Sequence, residues 1–241
     1  MLKYILKRIL LAIVTIWAVA TLTFFLMNLV PGGPFLSEKA ISPQATAALE
    51  AKYGLDKPIL QRYTTYMLDA AHGDFGDSLK KRGWTVSAII ATKFPVSARV
   101  GGISVLISLI LGVTLGSIAA LKRGKFLDSL ISVISTCGIA VPSFVICTVL
   151  LYFFGVKLKV LPTIGLNTWK NYLIPVMALS FYPTAYIMRL MRSSMLDVLG
   201  QDYMRTAKAK GVSGRKQLFK HALRNAILPV VTYVGPMLAY T

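Results

Sequence analysis

Side chains that commonly bind metals or carry catalysis are sparse in this sequence. His72, Asp74 and Asp77 fall within six residues and include ligand types found in zinc sites. They are interleaved with two glycines in "HGDFGDSL", a composition typical of a turn. A turn is therefore the favoured interpretation of this cluster, and a metal site is the weaker alternative.

Motifs for hydrolysis or nucleotide binding are missing from the sequence. It contains no GxxxxGK[ST] phosphate loop, no HExxH and no GxSxG. Cys137 and Cys147 lie ten residues apart in one apolar run, which fits neither a disulfide nor a familiar metal spacing. We interpret them as small buried apolar residues. The sequence predicts no catalytic residue, no bound metal and no cofactor held by this chain itself.

The most distinctive polar segment is "YMRTAKAKGVSGRKQLFKHALRNAILP", residues 203–229, which holds seven of the 27 Lys and Arg residues. Asp202 is predicted to cap a short helix that ends at Gly211, and Ser213 to cap a second helix. The second helix would bury Leu218, Phe219, Ala222, Leu223, Ala226 and Ile227 and place Arg215, Lys216, Lys220 and Arg224 on other faces. The first helix is too short to be stable alone, so a membrane surface or a groove on another protein must hold it.

The composition indicates a membrane protein. Of 241 residues only 15% are charged, against about 25% in soluble domains, and the mean hydropathy is +0.64. Apolar runs long enough to cross a bilayer cover residues 9–30, 100–121, 129–156, 172–188 and the chain from 226 onward. None of them contains Lys, Arg, Asp, Glu or His. This disfavours a proton- or ion-coupled carrier, which usually needs ionisable groups in the membrane.

Basic residues predict the orientation of the chain. They cluster before the first run and in segments 122–125 and 189–224, which are therefore expected in the cytoplasm, with 31–99 outside. Insertion rules alone explain the net charge of +18, so nucleic-acid binding is the weaker reading. A signal peptide is also disfavoured, because the first apolar run continues past the small-residue triplet at 18–20.

The segment between the first two runs is predicted to form a small cap on the extracytoplasmic side. A helix is expected from Ser42 to Gly54, with Pro43 at its first position. Within the apolar runs, Pro142, Pro175, Pro183, Pro229 and Pro236 each remove a backbone donor, and helix kinks are expected there. Gly112 and Gly116 form a GxxxG pattern, which favours close helix packing.

The basic segment resembles a known family. "DYMRTAKAKG" followed by "HALRNAILP" is similar to the EAA loop of inner-membrane permeases of ABC importers, in the form found in the dipeptide, oligopeptide and nickel permease family. Arg205, Thr206 and Ala207 occupy the EAA triplet and Gly211 its glycine, with Pro229 in the closing Leu-Pro. Arg and Thr replace Glu and Ala of the generic motif, as in the peptide and nickel branch.

The resemblance is colinear over essentially the whole chain. It includes "LVPGGP", "YGLDKP", "GDFGDSL", "VPSF" and "LPTIG". The long segment after the first run resembles the first of the two paired permeases. The resemblance implies an all-α, polytopic transmembrane helical bundle of the type I ABC permease kind. The family has six spans, so we expect that the end of the fifth span and the whole sixth are missing from this sequence.

The resemblance also implies function and partners. The chain is expected to form half of a pathway that moves peptides across a bacterial or archaeal cytoplasmic membrane, with nickel or another small solute as the alternative cargo. Expected partners are a second permease, two cytoplasmic ATPase subunits that bind ATP, an extracytoplasmic solute-binding protein and membrane lipid, but no nucleic acid. The expected ATPase-coupling residues are Asp202, Tyr203, Arg205, Thr206, Ala207, Lys208, Gly211 and Ser213.

Three regions follow from this interpretation. Residues 1–30 form a cytoplasmic tail and the first span, 31–99 the extracytoplasmic segment, and 100–241 the permease core with its coupling loop at 189–224. The residues that line the pathway cannot be chosen from the sequence. A secondary carrier or channel that works alone is the rival from another class, and a membrane-anchored enzyme or scaffold is a further one.

Overall fold

The computed structural model describes residues 1–29, 51, 54–78, 80, 81 and 83–240. Within these residues the fold is helical, and the only pairing of extended backbone is an isolated bridge between Asp77 and Thr85. The helices are α1 (Leu2–Leu29), α2 (Ile59–Ala71), α3 (Val86–Leu121), α4 (Phe126–Ala140), α5 (Ser143–Lys157), α6 (Trp169–Leu199), α7 (Asp202–Ala209), α8 (Gly214–Ala226) and α9 (Leu228–Tyr240). The helix predicted to start at Ser42 lies almost wholly outside the described residues.

Several helices are suited to crossing a membrane. By length and composition α1, α3 and α6 each qualify alone, and α4 with α5 and α8 with α9 qualify as two further spans if each bent pair is taken together. This agrees with the five predicted runs and with an all-α, polytopic transmembrane fold. The helices extend beyond those runs, because α3 begins at Val86 rather than at residue 100 and α6 continues past residue 188 to Leu199. Hydropathy marks the apolar part of a helix, whereas hydrogen bonding continues into the charged turns beyond it.

The chain divides into two compact units, Met1–Phe94 and Pro95–Thr241. In the first unit α1 contacts α2 through aromatic rings and one hydrogen bond. Tyr63 lies 5.5 Å from the ring of Phe24, and its hydroxyl is 2.8 Å from Thr21 Oγ1. The division falls inside α3, five residues before the predicted boundary at residues 99 and 100.

The segment around His72 forms the predicted turn. Gly73 and Gly76 both have positive φ, and the Gly76 amide donates to Asp74 Oδ1 at 2.9 Å. Ser78 and Trp84 are joined by a backbone hydrogen bond of 2.8 Å, which closes the loop before α3. The side chain of Asp74 is therefore used in local turn geometry.

Helix α6 is the centre of the second unit. One stripe of α3, formed by Ser104, Ser108, Gly112 and Gly116 and called here the Ser/Gly stripe, lies directly on it. The hydroxyl of Ser108 donates to the Ser180 carbonyl at 3.0 Å. A Cβ built on Gly116 would lie 2.5 Å from the Met188 carbonyl oxygen. The GxxxG pattern thus serves close helix packing, as predicted.

Candidate functional site

The chain leaves α6 and enters the short helix α7 after a two-residue connection. Gln201 occupies the N-cap position in extended conformation, and Asp202 is the first helical residue. The prediction that Asp202 caps this helix is therefore wrong by one position. The carboxylate of Asp202 still lies in the first turn, where it interacts favourably with the exposed amides of the helix N-terminus. It also lies 3.5 Å from the guanidinium of Arg205.

Helix α7 ends at a glycine in a left-handed conformation. Gly211 has φ +73° and its amide donates to the Lys208 carbonyl at 3.0 Å. No atom lies within 4 Å of a Cβ built on Gly211, so the requirement for glycine is conformational rather than steric. This is the ending that the sequence predicts.

Ser213 occupies the N-cap of α8, but its side chain makes no capping hydrogen bond. Instead its backbone carbonyl accepts the Gln217 amide at 2.9 Å, and the Gln217 side chain donates to the Val212 carbonyl at 2.6 Å. Ser213 is thus at the N-cap as predicted, but it binds the helix through its backbone carbonyl and not through its side chain. The turn between α7 and α8 is held by Gln217, a residue that sequence reasoning did not select.

One face of α7 is anchored in the core of its own chain. Met204 is buried and belongs to the same apolar cluster as Met195 of α6 and Ala222 and Ala226 of α8. Ala207 is the second buried residue of the helix. Ala207, which the sequence predicts for the ATPase interface, therefore lies on the face that packs against its own chain. Met204 was missed, although its place one turn before Ala207 and Lys208 follows helical periodicity.

The other faces of α7 are exposed. They present Asp202, Tyr203, Arg205, Thr206 and Lys208. The Tyr203 hydroxyl accepts a 2.9 Å hydrogen bond from the Asn225 side chain of α8, which links the two helices. Seven of the eight residues predicted for coupling are thus exposed on one hairpin, with Ala207 as the exception.

Helix α8 buries fewer residues than its apolar pattern predicts. Ala222 and Ala226 are fully buried, whereas the Phe219 side chain is 59% exposed. The reason is a π-helical stretch from Gln217 to Ala222. A π-turn contains an extra residue, so the faces before and after it no longer follow the 3.6-residue period. The prediction that Phe219 is buried is wrong for this reason.

An ion pair that the sequence analysis missed ties α4 to α6. Asp128 is buried, and its two carboxylate oxygens accept Arg192 Nε at 2.5 Å and Nη2 at 2.9 Å. The Gly124 amide donates to the same carboxylate at 2.9 Å. Nearby, Arg189 donates to Thr136 Oγ1 at 3.0 Å. The sequence did contain a signal for this pair. The topology predicted from the basic residues places the start of α4, with Asp128, and the end of α6, with Arg192, on the same side of the membrane.

Two helix breaks lie at prolines where the sequence predicts kinks. The axes of α4 and α5 differ by 101° across a break that contains Pro142, and those of α8 and α9 differ by 44° just before Pro229. Pro175 and Pro183 lie inside α6, which runs without a break from Trp169 to Leu199. A proline removes one hydrogen bond from a helix, and neighbouring packing can preserve the helix around it.

Comparison with known proteins assigns this architecture to a family. Residues 112–241 match the family described as binding-protein-dependent transport system inner membrane component. Residues 1–100 match the N-terminal family of the corresponding membrane component. The chain belongs to this family of transport permeases.

Individual relatives agree with that assignment. The chain is 43% identical to the oligopeptide transport system permease protein OppB of Salmonella typhimurium over 98% of this chain and 78% of the relative. It is 42% identical to the dipeptide transport system permease protein DppB of Bacillus subtilis over 99% of this chain and 78% of that relative. The chain is thus a multi-pass inner-membrane protein and a component of a binding-protein-dependent transport system.

Proposed function

We propose that this chain is one of two permease subunits of an ABC importer that moves peptides into the cell. The named relatives transport oligopeptides and dipeptides, and both are similar over nearly the whole of this chain. The basic residues of the N-terminus and of the α6–α8 region support a cytoplasmic location for both. By the same rule the segment between α1 and α3 lies outside.

The energy for transport is proposed to come from partner subunits. Two cytoplasmic ATPase subunits bind and hydrolyse ATP, a second permease completes the pathway, and an extracytoplasmic solute-binding protein delivers the cargo. The chain itself carries no nucleotide-binding motif. Force must therefore pass between polypeptides.

Helix α7 is the proposed point of that transfer, and one observation carries this assignment. Its buried face joins the core cluster through Met204, while its other faces expose polar and charged side chains. A helix of eight residues is too short to be stable by itself, so its geometry depends on what it packs against. A push on the exposed face is transmitted to α6, α8 and α9 because Met204 shares one packed cluster with residues of all three.

Alternating access follows from this arrangement. Closure of the ATPases around ATP would draw the docked α7 helices together and shift the bundle between two states. ATP must bind one of the two states more tightly, since equal affinity shifts no population. The helix breaks at Pro142 and Pro229 are proposed as the places where the spans bend during this change.

Gly211 provides the test. Gly211→Val forces a β-branched residue into the left-handed region at a cost of about 2 kcal/mol, with no steric contact to confound the result. We expect loss of peptide-stimulated ATPase activity and of uptake in vesicles that contain the complete transporter. Gly211→Asn should retain much of both, because asparagine tolerates this conformation.

Gly214→Val is the matched control, since Gly214 has no positive φ and a Cβ built on it would have no atom within 4 Å. It should behave as the wild type. If Gly211→Val retained normal coupling, α7 would not transmit force. Uptake by vesicles that lack ATPase subunits would refute the importer assignment itself.

A further inference from the structure

Four tyrosines meet between α6 and α9. Tyr182 and Tyr186 lie one turn apart on α6, and Tyr233 and Tyr240 lie two turns apart on α9. The rings of Tyr186 and Tyr233 are 4.4 Å apart, and that of Tyr182 is 6.4 Å from Tyr186 and 6.5 Å from Tyr240. These four residues, called here the tyrosine cluster, form a continuous aromatic surface on two apolar helices.

The hydroxyls of the tyrosine cluster are available for binding. None of the four makes a hydrogen bond to another described residue, although Tyr63, Tyr172 and Tyr203 elsewhere each do. No buried polar side-chain atom in the described part of the chain lacks a partner, so the hydroxyls of the half-buried Tyr182, Tyr186 and Tyr233 are not closed off from accessible space. A polar group facing hydrocarbon without a partner is costly, whereas one that faces a wet cavity or a ligand is not.

A cavity of about 420 Å³ lies beside the cluster. Tyr182 and Tyr240 line one side, and the break between α4 and α5, from Ala140 through Pro142 to Phe144, lines the other. Its volume falls within the range of about 300–1,000 Å³ that small-molecule sites occupy. No Lys, Arg, Asp, Glu or His among the described residues contributes to its lining.

The break supplies main-chain polar groups to this cavity. Pro142 has no N–H, and no side chain caps the helix that begins after it. The Val145 amide donates to the Pro142 carbonyl at 3.0 Å, whereas the amides of Ser143 and Phe144 have no backbone partner among the described residues. Phenolic hydroxyls and such backbone groups can pair with both the donors and the acceptors of a peptide main chain.

We propose that this pocket is the part of the translocation pathway that contacts the passing peptide, and that it binds main-chain amides and apolar side chains. The inference rests on the proposed function, since it names the residues that the cargo meets. An uncharged lining of aromatic rings and hydroxyls is tolerant of peptide sequence. Its binding is also weak enough for release, because no buried charge holds the peptide.

Photo-crosslinking tests the contact directly. The photoreactive residue p-benzoylphenylalanine replaces Tyr182 in the complete transporter, reconstituted in vesicles with its ATPase subunits and solute-binding protein. The probe is radiolabelled tetra-alanine, and light is applied during ATP turnover. The matched control carries the same residue at Val149 of α5, which is 58% exposed and does not line the pocket. We expect a labelled adduct at position 182 at least about tenfold above that at position 149.

Two variants measure how much the pocket contributes to peptide transport. Tyr182→Phe combined with Tyr240→Phe removes the two tyrosine hydroxyls of the pocket lining and retains the rings, and we expect peptide taken up per ATP hydrolysed to fall about three- to tenfold. Ser143→Trp fills the pocket and should lower that ratio more, whereas Val149→Trp should not. Size-exclusion chromatography confirms that each variant assembles.

The outcomes are distinct. An adduct between position 182 and the second permease, or wild-type uptake by both the double Phe and the Ser143→Trp variants, would overturn the pocket assignment. Absence of an adduct in a wild-type background that transports tetra-alanine would overturn it as well and leave the importer assignment intact. Absence of ATP-driven uptake by the wild-type transporter would refute the importer assignment.

Discussion

The Ser/Gly stripe of α3 offers a sharp test of how the bundle is held together. Gly116→Ala adds one methyl group where α3 meets α6. The new Cβ would lie 2.5 Å from the Met188 carbonyl oxygen and 2.8 Å from Met191 Cβ. Because the first of these atoms is backbone, no rotamer change relieves the contact. Restoring an ordinary 3.4 Å contact requires the two helices to separate locally by about 0.9 Å.

That separation has a predictable cost. Overpacking of this kind costs about 1–3 kcal/mol, and the separation also weakens the Ser108 hydrogen bond to the Ser180 carbonyl. The higher helix propensity of alanine offsets up to about 1 kcal/mol of this loss of stability. For a chain of this size each kcal/mol moves the melting temperature by about 2–4 °C, so a net cost of up to about 3 kcal/mol lowers it by up to about 12 °C.

Gly102→Ala is the matched control in the same helix. No atom lies within 4 Å of a Cβ built on Gly102, so it gains the helix propensity without the collision. The assay is the apparent melting temperature of the purified transporter in detergent, measured by size-exclusion chromatography after heating. If Gly116→Ala and Gly102→Ala melted within about 1 °C of each other, close α3–α6 packing at Gly116 would not contribute to the stability of the fold.

Two further predictions concern the contacts around α6. Asp128→Asn weakens the paired hydrogen bonds to Arg192, whose side chain is 31% exposed, and should cost about 1–3 kcal/mol in the same melting assay. Asp197→Asn, on the exposed end of α6, is its control and should cost less than about 0.5 kcal/mol. Met204→Ala removes the anchor of α7 and should cost about 2–4 kcal/mol if the site does not collapse, while peptide-stimulated ATPase activity falls relative to basal activity. Met27→Ala, at a methionine that is 72% exposed, should change neither quantity, and an equal effect of the two substitutions would contradict the anchoring role.

Much of the architecture was predictable from local information. Apolar runs identify the spans because hydrocarbon requires about 20 apolar residues of helix, and that requirement is independent of how the helices pack. Gly211 marks the end of α7 because its left-handed backbone strongly favours glycine. Likewise, Pro142 marks the sharpest described break because it removes a helix donor.

Other features depended on contacts between distant parts of the chain. The pairing of Asp128 with Arg192 joins residues 64 positions apart, so neither local sequence contains it. Phe219 was assigned to the buried face by a 3.6-residue period that the π-helical stretch breaks. Ala207 belongs to the family motif, yet its exposure depends on which side of α7 faces the core.

The sequence by itself determined that this protein is a helical membrane permease with a short basic hairpin outside the spans. The length of an apolar run, the position of its flanking charges and the backbone conformation of a glycine are properties of individual segments. They do not depend on contacts between segments. Only the tertiary structure decided that α6 is the central helix, that Met204 ties the hairpin to the bundle and that four tyrosines meet beside the Pro142 break. Those outcomes depend on the crossing positions and rotations of whole helices, which are set by close packing between residues far apart in the chain.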